Sequence, residues 1–491
     1  MKSENLPGLL LASTLLVILA FAGVRTVADP DLWGHVRFGQ DILAARSVPR
    51  VDTYSFTSDR PWINHEWLSE VFMALAYSAA GGAGLVALKC LLAASAFTVL
   101  WRALRQAGVH RPLAAVLLTV AAFGVMGLLF TIRPQVFSLL LFAVLLALLN
   151  GIGRGRYRLF LWMPALFALW ANLHGGWIVG LGVLTLWCVC GLPSGIVHWR
   201  WAAGGVFLGL LGTLATPYGL GLWRFLLETV RVGRPGITEW QAVTGDLYSL
   251  GSWAVGALLI LVAWRRQRWA AAQMMIPAAV LGVLAFRVVR LQGFFVLAGV
   301  FLLVPYVAGL GPARLPLSRR PTRGEIALVA AICLAGIVAA GVAVKGHATC
   351  ISLAGPEMQK AWEPEAEAVV FLRTNAVEGR LLTYFDYGEM AIWHLGHQLR
   401  VSYDGRRETV YSEAVQQAHA RFYRGLDGGR YADQIGADYV WLPLKLPVID
   451  ALKRRGWTTI YAGPRSIVLA RRAGPYKQPV PWTSPRCFPG P

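Results

Sequence analysis

The stretch that decides the fold is Pro112–Arg158, PLAAVLLTVAAFGVMGLLFTIRPQVFSLLLFAVLLALLNGIGRGRYR. Two apolar runs, 112–131 and 134–150, are separated by a turn that carries Arg133. The second is followed at once by Arg154, Arg156 and Arg158. Each run is long enough to cross about 30 Å of hydrocarbon. Similar runs lie at 7–24, 83–100, 159–172, 176–192, 202–216, 250–264, 270–286, 291–309 and 325–343. Of the 491 residues 56% are hydrophobic and only 15% charged, where soluble domains carry about 25% charged residues. The mean hydropathy is +0.52. The reading is a polytopic α-helical membrane protein of about eleven transmembrane helices. The first run, preceded only by Lys2 as a basic residue, reads as an uncleaved helix and not as a signal peptide.

A net charge of +20 would ordinarily raise nucleic acid as a partner, but here the positive charge sits in short loops between apolar runs. With the N-terminus cytoplasmic, the inner loops hold Arg102, Arg105 and Arg111; Arg154, Arg156 and Arg158; Arg200; Arg265, Arg266 and Arg268; and Arg314, Arg319, Arg320 and Arg323. Of 26 acidic residues only Glu4 and Glu325 fall on that side. The positive-inside rule therefore sets the orientation, and nucleic acid is excluded as a partner. A transmembrane domain 1–345 contains a large first outer loop, 25–82, in which Leu68–Tyr77 is amphipathic enough to lie at the interface. An outer α/β domain, 346–475, follows. In it helical (Glu363–Thr374, Tyr387–Leu395, Val448–Arg455) and extended segments (Arg380–Phe385, Leu399–Tyr403, Asp438–Leu442, Thr458–Tyr461, Ser466–Ala470) are interleaved. The end, 476–491, reads as an irregular tail. Six scattered cysteines make no disulfide scaffold and no zinc spacing. Cys350 and Cys487 alone lie outside the membrane on this topology, and an oxidising outer compartment would let them pair. Arginine outnumbers lysine 39 to 7, which together with the lack of a eukaryotic targeting signal places the protein in a bacterial cytoplasmic membrane.

On this topology the unusual polar residues converge at the outer face. Asp29-Pro30-Asp31-Leu32-Trp33 follows the first helix, and Trp62-Ile63-Asn64-His65-Glu66-Trp67 ends the first loop. Arg133, His174, Arg287 and Arg290 stand at outer turns, and Lys89 lies about 9 Å below the outer end of its helix at 1.5 Å per residue. An outer-face enzyme has no supply of nucleotide sugars, so an activated substrate must arrive in the lipid. A polyprenyl-phosphate sugar meets that need. Asp31 or Asp29 could remove a proton from an acceptor hydroxyl; Lys89, Arg133, His174, Arg287 and Arg290 could hold the phosphate; Trp33, Trp62 or Trp67 could stack on a sugar. A divalent cation, Mg or Mn, held by Asp29, Asp31 and Glu66 is a further option. Bland readings stand beside these: solvated outer carboxylates, arginines snorkelling to membrane lipids, a glycine hairpin after His174. Lys89 is the hardest to dismiss, since a charge within a span is costly.

The whole pattern resembles the GT-C superfamily of integral-membrane glycosyltransferases, which includes protein O-mannosyltransferases, aminoarabinose transferases of lipid A and the catalytic subunit of oligosaccharyltransferase. The resemblance implies a first-loop acid as base or metal ligand and a polyprenyl-linked donor. It points to Asp29 or Asp31, the latter with Arg37 placed like the arginine that follows the oligosaccharyltransferase aspartate. His65-Glu66 is similar in position to a second acidic motif and joins the candidate catalytic set. Tyr384-Phe385-Asp386-Tyr387-Gly388 shares Asp-Tyr-Gly with the acceptor motif of oligosaccharyltransferase but lacks its tryptophans, which makes Asp386 and Tyr387 candidate acceptor contacts. The acceptor, whether glycan, lipid or protein, is open. Alternatives are a transporter or flippase of lipid-linked saccharides, disfavoured by helix centres nearly free of charge and no visible repeat, a non-catalytic envelope-assembly subunit, and a ligase that moves a whole glycan from a diphosphate carrier.

Overall fold

A computed structural model describes residues 26–109, 111–231, 238–243, 247–267, 272–303, 350–353, 364–479 and 487–491, with isolated helical positions at 15, 18, 324, 327, 331, 334 and 338. The expected first and eleventh spans, and the basic loop before the latter, lie outside these stretches. Two compact units share the chain. One comprises Met1–Thr26, Val86–Phe130 and Pro134–Ala348; the other comprises Val27–Leu85, Thr131–Arg133 and Thr349–Pro491.

The first unit is helical and belongs to a membrane protein. The expected spans that fall on described residues all coincide with helices. After α1 (Leu32–Ala45), which belongs to the other unit, come α2 (Trp67–Gln106), whose residues up to Leu85 also belong to the other unit, α3 (Arg111–Leu129), α4 (Gln135–Ile152), α5 (Met163–Leu173), α6 (Trp177–Gly191) and α7 (Trp199–Thr213). Next are α8 (Leu220–Arg231), α9 (Leu247–Gln267), α10 (Ala272–Arg287) and α11 (Gln292–Leu302). Three, namely Trp67–Gln106, Gln135–Ile152 and Leu247–Arg266, have both the length and the hydropathy to cross a bilayer. The others, apart from the 19-residue α3, are shorter, so the count of eleven rests on hydropathy and not on helix length. Outward-facing Trp162, Trp199, Phe207, Leu258 and Val283 are exposed, an apolar surface that water would not tolerate over this extent. Helix α8 stands where a loop was expected; Arg224 and Glu228 interrupt its apolar run. The segment Leu68–Tyr77 and the span that follows are one helix, α2, bent at Ala80–Gly81, where Gly81 takes φ +58° that an L side chain rarely adopts.

Small residues set the packing of these helices. Cβ atoms at Gly205 and Gly212 of α7 would run into Phe160 and the backbone of Pro164. Phe295 of α11 leaves no room for a side chain at Gly256 or Gly282. Between lipid-facing helices, close approach of this kind replaces the missing hydrophobic drive.

The second unit holds a five-stranded mixed sheet of order β2-β1-β3-β5-β4. Its strands are β1 (Gly379–Thr383), β2 (Leu399–Val401), β3 (Tyr439–Pro443), β4 (Thr458–Ala462) and β5 (Ser466–Ala470). Strand β1 runs parallel to β2 and β3, and β5 runs antiparallel to β3 and β4. Helices α12 (Ala366–Thr374), α13 (Gly388–Leu395), α14 (Glu413–Tyr423), α15 (Arg430–Gln434) and α16 (Val448–Arg454) connect them. The core is built from the apolar positions of β1, β3 and β5 with Phe422, Val448, Leu452 and Trp457. The first loop extends this sheet: the Val401 N–H donates to the Tyr54 carbonyl at 3.1 Å, and the Phe56 N–H to the Val401 carbonyl at 3.1 Å. Val27 pairs with Ser352, which pairs with Cys487, and Cys487 is disulfide-bonded to Cys350. Residues 476–479 carry neither helix nor strand. The chain end is held: the Trp33 Nε1–H donates to the Pro489 carbonyl at 2.7 Å.

Candidate active site

Within the second unit, the Asp-Pro-Asp run builds its own turn. The Asp31 N–H donates to Asp29 Oδ1 at 3.1 Å, and the Leu32 N–H to the Asp29 carbonyl at 2.9 Å. Asp31 then caps α1 with its backbone, while its carboxylate makes no capping hydrogen bond. That carboxylate stands at the positive end of a helix, where a negative charge is favoured. Arg133, brought in by the Thr131–Arg133 segment, reaches both acids: its Nη2 lies 2.5 Å from Asp29 Oδ2 and 3.4 Å from Asp31 Oδ2.

Two acids of the α/β part complete the cluster. Asp386 is half-buried. Its carboxyl is pushed up to about 7 by burial and then by the charges of Asp31 and Asp29, with Arg133 and Arg407 opposing. Glu389, in the first turn of α13, is buried, and its Oε2 accepts the Gly34 N–H at 3.1 Å. Burial, followed by Asp31 and Asp404, holds its carboxyl well above the usual range. Around them His35 faces Glu70 at 3.4 Å, and Glu70 accepts from Asn64 Nδ2 at 2.5 Å. Burial alone would lower the His35 imidazole; the hydrogen bond to Glu70 and the charges of Glu66, Glu70 and Asp31 outweigh it and raise it.

The sequence-predicted residues divide. Asp29, Asp31, Arg133 and Asp386 are brought together. His65 and Glu66 pair with each other at 3.6 Å, and Arg37 pairs with Asp41 at 3.0 Å instead of with Asp31. Trp33 and Trp62 are buried: Trp33 packs on Phe488, and Trp62 packs on Phe38 beneath Arg406. Neither can offer a face to a sugar, which corrects that expectation. Trp67 is half-buried at the start of α2. Tyr387 is buried against Trp441, so of the Asp-Tyr-Gly residues only Asp386 reaches the cluster. For a cation, the guanidinium of Arg133 already stands between Asp29 and Asp31. Among the described residues no three His, Cys, Asp or Glu side chains converge as metal ligands. The donor set does not fit a divalent ion, and no step is derived through one.

In the helical unit, Lys89 Nζ donates to Thr26 Oγ1 and to the Leu129 carbonyl, both at 2.7 Å. The carbonyl belongs to the last turn of α3, which has no helical donor of its own, so this buried lysine is a helix-end cap. Arg290 pairs with Glu239 at 2.8 Å and lies 3.4 Å from His174 Nε2. His174 Nδ1 accepts the Gly176 N–H at 3.0 Å and contacts Ser138 Oγ at 2.7 Å. Arg290 and His174 line a small cavity with Gln135, Leu128, Leu139 and Phe294. Arg287 is exposed at the end of α10.

Sequence reasoning missed Glu389, Glu70 and Arg407. For Glu389 a signal existed: it stands three residues after Asp386, on one face of a helix.

Solved structures share this fold. It is shared with ArnT from Cupriavidus metallidurans bound to undecaprenyl phosphate, with a TM-score of 0.56 and 15% identity over 96% of this chain and 100% of that one. The apo state of the same protein gives 0.55 at 15% identity, over 97% and 100%. The mycobacterial arabinofuranosyltransferase AftD gives 0.54 at 15% identity, over 96% of this chain and 42% of its own. No protein-family profile and no curated protein matches the sequence.

Proposed function

We propose that the chain is a glycosyltransferase that moves a sugar from a polyprenyl-phosphate-linked donor to an acceptor hydroxyl at the outer face of a bacterial cytoplasmic membrane. The observation that carries this reading is the cluster of Asp29, Asp31 and Asp386 about Arg133. It occurs on a fold shared with a protein whose structure holds undecaprenyl phosphate. The basic inner loops support the sidedness.

Asp31 is the base. Its side chain is 26% exposed against 9% for Asp29, and its contact with Arg133 is the longer one. Asp29 is the acid that fixes the guanidinium. Asp31 takes the proton of the acceptor hydroxyl as that oxygen bonds to the anomeric carbon. The bond from that carbon to the phosphate oxygen breaks, and its electron pair leaves on the lipid phosphate. Arg133 offsets the negative charge carried through the site. Asp386 contacts the acceptor. In the helical unit, taken by itself, Arg290 and His174 are the candidate phosphate-binding donors of a cavity lined otherwise by Gln135 and apolar residues.

The test is transfer by purified protein from a panel of radiolabelled polyprenyl-phosphate sugars. Asp31→Asn should lose transfer by about 100-fold or more while melting like wild type. Retained transfer in both Asp31→Asn and Asp29→Asn would overturn the base. Activity only with diphosphate-linked donors would change the donor class to that of a glycan ligase. A wild-type protein that binds lipid but transfers nothing from either class would favour the flippase or the envelope-assembly reading.

A further inference from the structure

We infer that Glu389 is a positioning residue, which forms with Asp31 a carboxyl pair that shares one proton and keeps it on Glu389; the inference rests on Asp31 being the base. Two glycines put the pair together. A Cβ on Gly34 would collide with Glu389 Oε2. One on Gly405 would collide with Asp31 Oδ1 and would lie 2.7 Å from Glu389 Oε1. Neither glycine has a left-handed backbone, so both positions need glycine for close approach alone. Asp31 Oδ1 and Glu389 Oε1 thus rest against the same α-carbon, and two carboxyl groups so placed do not both ionise.

The surroundings decide which one keeps the proton. Asp31 has Arg133 at 3.4 Å and the N-terminus of α1. Glu389 is buried and faces Asp31 from α1, Asp404 and Arg406 from the segment after β2, and Glu70 from α2. The Arg406 charge is spent on Asp52 and Asp404. Since Glu389 Oε2 accepts the Gly34 N–H, the proton belongs on Oε1, the oxygen on the Asp31 side. A hydrogen bond from there pins Oδ1 of Asp31 and leaves Oδ2 to take the acceptor proton.

Glu389→Gln keeps both functions: its amide N–H can donate to Asp31 and its carbonyl can accept from Gly34. Glu389→Ala should lose about 100-fold through misplacement of the base, and Glu389→Gln should rescue most of that loss at neutral pH. In wild type, activity should fall at alkaline pH as Glu389 deprotonates and repels Asp31; Glu389→Gln should lack that fall. The same alkaline limb in both, or a wild-type kcat in Glu389→Ala, overturns the pair. Infrared spectra above the titration of Asp386 provide a readout independent of turnover. The protonated-carboxyl band should be present in wild type and absent in Glu389→Gln. A band that Glu389→Gln leaves unchanged overturns the pair. A band it removes, in a protein that transfers no sugar, keeps the pair and drops the transferase reading.

Discussion

The second unit contains two arginines, each set between two aspartates, and they differ in almost everything but residue type. Arg406 Nη1 meets Asp52 at 2.6 Å, while its Nε and Nη2 meet the two oxygens of Asp404 at 2.9 and 2.7 Å. Tyr411 adds a hydrogen bond to Asp404 at 2.7 Å, and the guanidinium lies over Phe38, Tyr54 and Trp62. All three charged side chains are buried. Arg133 holds Asp29 closely and Asp31 loosely, and Asp31 is partly open to solvent. A saturated, dry triad can only hold chains together; it ties the first loop, through Asp52, to the segment after β2. An unsaturated triad with an accessible carboxylate can exchange a proton.

The largest expected effect breaks the first triad. Arg406→Ala leaves two buried aspartates uncompensated and should cost about 3–5 kcal/mol, read as loss of cooperative unfolding of the α/β part. Arg406→Lys should rescue little, because a point charge cannot replace the bidentate fork. Next comes Arg133→Ala. Partly exposed ion pairs contribute about 0–1 kcal/mol, so its melting temperature should hardly move. Transfer should fall by about 100-fold, the usual cost of one charge-stabilising group. The reverse pattern, an inert Arg406→Ala and an unfolded Arg133→Ala, would erase the distinction between the two clusters.

Much of this unit was legible in the sequence, and the illegible part has a common cause. Strand β5 falls at Ser466–Ala470 as expected, and β1, β3, β4 and α13 lie within a residue or two, because alternation and turn residues are local signals. Asp29 and Asp31 were visible as an acidic motif just past an apolar run. Trp33 and Trp62 were misjudged because a tryptophan in a loop reads the same whether its ring faces solvent or a core. Glu389 reaches Gly34 across 355 residues, and Asp52 reaches Arg406 across 354; no local pattern reports such pairs. Gly405 looks like an ordinary turn glycine until Asp31 and Glu389 are seen against its α-carbon. In the helical unit, Lys89 stood out as a charge within a span, and its donors are taken by a hydroxyl and a helix-end carbonyl.

The smallest expected effect separates the two clusters by the sign of their pH dependence. Burial would raise the Asp404 carboxyl, but Arg406 and the hydrogen bonds from Arg406 and Tyr411 outweigh it and hold it below the ordinary range. Its contribution to stability is present above the ordinary value of 3.8 and is lost as pH falls through the folded value. Asp386 runs the other way. Raised from 3.8 to about 7, it makes the folded state bind more protons than the unfolded chain across that window, so stability falls as pH rises through it. Asp386→Asn removes this term. The variant should unfold like wild type near pH 4 and be the more stable of the two above pH 7. The gain is at most about 4 kcal/mol at 1.36 kcal/mol per unit, and smaller where solvent reaches the half-buried carboxyl. Unfolding midpoints of both proteins across this range measure the difference. A gain that is constant with pH would mean that the folded protein does not raise the Asp386 carboxyl. A gain confined to the alkaline side would mark the open cluster as the one that gives up stability to bury a carboxyl beside other acids.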